Sequence, residues 1–96
     1  MAKVRLSVKA DDDLVEIYTY TFRQFGAAQA DAYFTDLEDC LGRIADHPAL
    51  GQDVSHIRSG YRRVIHVSHA IYYRLKGADI YVVRILHAAR DARRHL

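Results

Sequence analysis

One cysteine and one proline are present in 96 residues, and nowhere does the chain approach ~20 consecutive apolar residues. The lone thiol, Cys40, excludes an internal disulfide. It falls on the apolar stripe of an expected helix, where a free thiol acts as a small hydrophobe. The missing apolar run argues against a spanning helix, and the N-terminus MAKVRLSVKADDD has no apolar h-region, so a soluble, cytoplasmic protein is expected. Internal repeats, low-complexity segments and linkers are also missing, which leaves residues 1–96 as one expected domain. There is no Gly-x-Ser-x-Gly, Walker or dinucleotide-binding motif. Six histidines are present, but His66-x-x-His69 is the only close pair and it has no second clustered pair to complete a ligand set. No metal and no cofactor are expected.

What is present is an ordinary globular balance, half hydrophobic and about a quarter charged, with the charge unevenly divided. Residues 1–48 carry five Lys/Arg and nine Asp/Glu; residues 49–96 carry nine Lys/Arg and three Asp. The acidic half has a local explanation, because Asp11, Asp12 and Asp13 suit a helix N-terminus. The basic half has none, and its excess suggests an acidic partner or nucleic acid.

Along the chain, Lys3–Lys9 alternates with Val4, Leu6 and Val8 on one face, the pattern of a strand buried on one side. Ala10-Asp11-Asp12-Asp13 supplies candidate N-caps, and Asp13 with Glu16 resembles a capping box. Leu14, Ile17, Tyr18, Phe22 and Phe25 then predict an amphipathic helix from about Asp12 to Phe25, ended by Gly26. A second helix carries Ala30, Tyr33, Phe34, Leu37, Cys40, Leu41 and Ile44 on one stripe and stops at His47-Pro48. Residues 48–60 read as a loop. Three strands follow, Tyr61–Val67, Ala70–Leu75 and Ile80–Leu86, with joins so short that they form an antiparallel meander. In the last strand the apolar residues divide into Ile80, Val82 and Leu86 against Tyr81, Val83 and Ile85, as in a central strand covered on both faces. The fold class is α+β: β-α-α-β-β-β, a small, mainly antiparallel sheet with a helical hairpin on one face and a short C-terminal helix or tail. The opposite face is expected to be partly bare, with an aromatic and cationic set drawn from Arg62 or Arg63, Tyr72 or Tyr73, Arg74, Arg84 and His87.

These elements and their motifs, in this order, resemble the ParE toxins of type II toxin–antitoxin modules. The resemblance spans about Lys3 to Arg94. It rests most on Arg84-Ile85-Leu86-His87 followed by Arg90-Asp91, and less on Gly60-Tyr61-Arg62 and Pro48-x-x-Gly51. It implies a fold similar to the RelE ribosome-dependent endoribonucleases, poisoning of DNA gyrase as the usual action, and inhibition by a ribbon-helix-helix, ParD-like antitoxin. Operator DNA would be met only through that antitoxin, and no membrane is involved. The resemblance assigns toxicity to the C-terminal segment (Arg84, His87, Arg90, Asp91, Arg93, Arg94). Antitoxin binding falls to the hairpin and sheet edge (Tyr18, Phe22, Tyr33, Leu37, Arg62, Tyr72, Arg74).

Ribonuclease chemistry is the alternative. It needs a base for the ribose hydroxyl, cations for the phosphate and an acid for the leaving oxygen. Arg62 and Arg84 are the candidate cations and His87 the candidate proton carrier. The inventory stops there, because no Tyr follows Tyr81 and no Glu follows Glu38. A structural reading stands beside both: His87 donating to a backbone carbonyl at the strand end, and Arg84 paired with Asp91 or Asp79.

Overall fold

A computed structural model describes residues 2–96. The elements are β1 (Val4–Leu6), α1 (Val8–Phe25), α2 (Ala27–Asp46), β2 (Gln52–Asp53), β3 (Arg62–His66), β4 (His69–Lys76) and β5 (Asp79–His87). Short 3₁₀ turns cover Pro48–Leu50 and Ala92–Arg94. The sheet order is β1-β5-β4-β3-β2; β1 lies parallel to β5, and every other pairing is antiparallel. The α+β reading, the hairpin and the meander therefore hold. Among the described residues no helix is long and apolar enough to cross a membrane.

The first helix starts four residues earlier than its periodicity predicts, and the reason is Ser7. Its Oγ accepts from the Ala10 N–H at 2.9 Å, as an N-cap does, and donates to the Val83 carbonyl at 2.6 Å. One hydroxyl thus ends β1, starts α1 and closes the edge of β5. The aspartates do not cap; they lie inside the first turns. Gly26, at φ +90°, separates α1 from α2 with no further linker, a conformation that disfavours side chains. Residues 52–53, read as loop, add a two-residue edge strand that pairs with Arg62 and Arg63.

The hairpin covers one face of the sheet. Leu14 and Ile17 of α1 and Leu37, Cys40, Leu41 and Ile44 of α2 pack on Ile71, Tyr73, Ile80, Val82 and Ile85. The division of β5 differs from strict alternation, because a bulge opposite Tyr72 and Tyr73 leaves Val83 unpaired, with Tyr72 opposite Arg84 and Tyr73 opposite Val82. One inserted residue exchanges the faces beyond it. Ile85, and not Leu86, joins Ile80 and Val82 under the helices; Leu86 faces the other way.

That other face is not bare over this half. Val54, Tyr61, Ala70, Tyr72, Leu86 and Ala92 form a second small core, with Ile57, Val83 and Leu96 against it. The loop after β2 and the C-terminal tail supply its cover. Tyr72 is buried here, and Leu37 is fully buried in the first core, so neither side chain has surface to offer a partner.

Candidate functional site

Arg84 is the charged residue that an apolar strand holds at greatest cost. Its partner is Asp13, and neither Asp91 nor Asp79. The Arg84 Nε and Nη2 donate to the two Asp13 carboxylate oxygens at 2.8 and 2.9 Å, a bidentate pair whose side chains are 13% and 9% exposed. Asp13 also accepts from the Ile85 N–H at 2.9 Å, an edge donor just past the bulge where β1 has run out. The remaining Arg84 contact, from Nη1, reaches the His95 carbonyl at 3.4 Å. Hydrogen bonding to Asp13 raises the pKa of the guanidinium above its ordinary value. The pair therefore ties α1, β5 and the tail at a single point. The sequence carried one signal for it. Ala10, Asp13, Leu14 and Ile17 follow an i, i+3, i+4, i+7 stripe, so Asp13 stands on a core face and not only in a helix first turn.

The other candidates spread over several places. Arg62 donates from Nη1 to the Gly51 carbonyl at 2.7 Å, while the Gly51 N–H donates to the Tyr73 hydroxyl at 2.8 Å and that hydroxyl donates to the Pro48 carbonyl at 2.7 Å. The Pro48-x-x-Gly51 motif is thus a turn clamped by Tyr73 and Arg62. Tyr18 donates to Asp31 at 2.6 Å, which raises the phenol pKa, and its ring packs beside Phe22 and Phe34. Arg74 lies across the sheet from all of these. Asp79, the other proposed partner of Arg84, binds Arg5 at 2.9 Å, and the resulting hydrogen bonds hold its pKa low.

At the far end of the sheet the register aligns three histidines. His66 pairs with His69 and His69 with His87, so that β3, β4 and β5 each place an imidazole in one row on the helical face. Tyr33 of α2 lies over this row, its hydroxyl 2.6 Å from His69 Nδ1 and 3.3 Å from the His66 carbonyl. Burial, with His87 and His66 beside it, lowers the His69 pKa below its ordinary value. His87 is exposed, and its Nδ1 accepts from the Ala89 N–H at 3.2 Å; the expected bond was one in which the ring donates. Among the described residues no group of three His, Cys, Asp or Glu side chains is arranged to hold a metal ion.

The histidine row ends in a groove of about 610 Å³ bounded by α1, the start of α2, the β3–β4 turn and the end of β5. Tyr20, Phe25 and Val67 stand exposed on its rim, Ile17, Tyr33 and Ile85 line it, Glu16 lies on its α1 side, and His69, His87 and Arg90 form its far end. Val67 takes φ +52°, a left-handed conformation that a β-branched residue adopts only under strain. Of the residues assigned from sequence, the groove gathers Tyr33, His87 and Arg90. Asp91, Arg93 and Arg94 lie in the adjoining tail, where Asp91 caps the last turn by accepting from the Arg93 N–H at 3.1 Å.

The family model described as ParE toxin of type II toxin-antitoxin system, parDE, matches residues 4–92. Toxin ParE1 of Caulobacter vibrioides is 40% identical over 96 residues, covering 100% of this chain and 99% of that protein. Toxin ParE1 of Mycobacterium tuberculosis is 38% identical over 92 residues, covering 95% and 94%. A solved structure of a chromosomal ParDE TA system from P. aeruginosa contains a chain that superposes with a TM-score of 0.79 at 21% identity, covering 91% of this chain and 96% of that one. With the family model matching residues 4–92 and relatives 40% and 38% identical over nearly the whole length, the chain belongs to the ParE toxin family of type II toxin–antitoxin systems.

Proposed function

We propose that this toxin arrests growth without cutting RNA, by binding and poisoning a protein target, DNA gyrase, and that a ParD-like antitoxin neutralises it by direct binding. The observation that carries the reading is the commitment of both candidate catalytic cations. Arg84 is held by both oxygens of Asp13, and Arg62 by the Gly51 carbonyl. A phosphoryl-transfer site needs cations converging on one unoccupied position, and these two serve separate internal acceptors. His87 remains as a lone proton carrier.

The antitoxin reading draws support from the groove. An apolar rim with Arg90 at one end suits an amphipathic segment that ends in an acidic residue. Tyr20 and Phe25, which lead that rim, replace the buried Leu37 and Tyr72 as the contact residues of choice.

Induced expression without antitoxin, with pulse labelling of DNA and protein over the first minutes, tests the mechanism. Early loss of DNA synthesis while translation continues is the expected result. Early loss of translation with cleaved messages is the outcome of the RelE-like alternative and overturns the reading.

A further inference from the structure

Register places a second charged surface far from the groove. On the face away from the helices, Arg5 of β1 lies beside Tyr81 of β5, and Tyr81 beside Arg74 of β4. Lys76 stands two residues beyond Arg74 on the same face, and Lys3 two residues before Arg5. The second core covers the other half of this face and stops short of these residues. Four cations thus share an open half-sheet with one carboxylate among the described residues, Asp79, which is already bound to Arg5 at 2.9 Å.

The chemistry of this surface narrows its partner. An amphipathic peptide needs apolar area to bury, and Tyr81 is the one large ring here. Single-stranded nucleic acid needs a free aromatic face on which to stack, and the Tyr81 ring is flanked by Arg74 Cζ at 5.3 Å from its centroid and Lys76 Nζ at 5.2 Å. What remains is an array of cations on one face of a sheet, carried by strands about 4.8 Å from their neighbours. We propose that this half-face, Lys3, Arg5, Arg74 and Lys76 around Tyr81, binds the phosphate backbone of duplex nucleic acid without reading sequence. The surface gives the toxin a direct nucleic-acid contact of its own, separate from any contact made through an antitoxin. Arg74, which the resemblance gives to antitoxin binding, lies on this surface and outside the groove, so neither the target reading nor the groove-based antitoxin reading depends on the proposal.

Fluorescence anisotropy of the purified full chain against a labelled 20-bp mixed-sequence DNA duplex, from 50 to 200 mM salt, tests the assignment. Four phosphate contacts predict a log–log salt slope of about −3.6. The R74Q/K76Q variant should bind at least about tenfold more weakly at 50 mM salt and lose roughly 1.8 from that slope, with its circular dichroism unchanged. R93Q/R94Q, at the other end of the molecule, should bind as the unsubstituted chain does. The proposal is overturned by absent binding at 50 mM salt, by equal binding in R74Q/K76Q, or by loss confined to R93Q/R94Q. Tighter binding of the matching single strand, or displacement of the duplex by an equal charge of poly-glutamate, overturns it equally.

Discussion

Asp13 and Arg84 show how one residue's environment decides its role. Both are largely buried and each satisfies the other, so removing one partner leaves an uncompensated charge beside an apolar core. Asp13→Ala or Arg84→Ala should each lower unfolding free energy by about 3–5 kcal/mol, whereas the apolar pair Asp13→Leu/Arg84→Met should cost less than the sum of the two singles. Urea denaturation of the four proteins checks this, and additive losses would contradict it. Arg84→Lys should not restore stability, since an ammonium cannot span both carboxylate oxygens. His69 sets a pH dependence. Its folded pKa lies below the unfolded value near 6.5, so below that pH the unfolded chain holds the extra proton. Stability should fall as pH drops through 6.5 and level off below the folded pKa, and His69→Gln should flatten the slope. Tyr33 and His87 pack against the His69 ring, so the comparison between variant and parent carries the test.

Two turns carry information that hydrophobic periodicity does not. Val67 holds a left-handed φ at the groove rim, and Val67→Gly should stabilise the chain by about 1 kcal/mol by relieving it, as read from the denaturation midpoint. Gly51 has the opposite constraint: a Cβ there would sit 2.6 Å from the Tyr73 hydroxyl. Gly51→Ala should cost about 1–3 kcal/mol, and Tyr73→Phe, which removes the clamp, should partly relieve the clash. The helices were legible because their stripes run 18 and 20 residues with stops at Gly26 and His47-Pro48. The start of α1 was not, because three aspartates compete with Ser7 as caps and only tertiary contact with Val83 decides between them. The bulge in β5 was likewise hidden. Alternation assigns Leu86 to the helical face, and nothing local to the strand marks Val83 as the extra residue.

At the scale of the molecule, the hairpin core fixes the sheet and the smaller second core fixes the tail. Ala92 and Leu96 pack into that second core, and the tail's His95 carbonyl meets Arg84. The attachment of the C-terminal segment to α1 through Asp13 was not readable in the sequence, since the pair is 71 residues apart. Truncation after His87 should abolish toxicity and also destabilise the fold. Replacing Arg90, Arg93 and Arg94 by Gln keeps the packing and isolates the charge; it should leave unfolding free energy within about 0.5 kcal/mol while reducing growth arrest. The groove, in turn, could be found only in three dimensions, because its walls come from two helices, a turn and a strand end. The central claim is that toxicity comes from protein poisoning by a chain whose candidate catalytic arginines are structural. Its most direct test adds the purified chain to gyrase supercoiling reactions and, in parallel, to translating ribosomes. The account predicts blocked supercoiling with trapped, cleaved DNA and intact messenger RNA. Normal supercoiling together with ribosome-dependent message cleavage would contradict it.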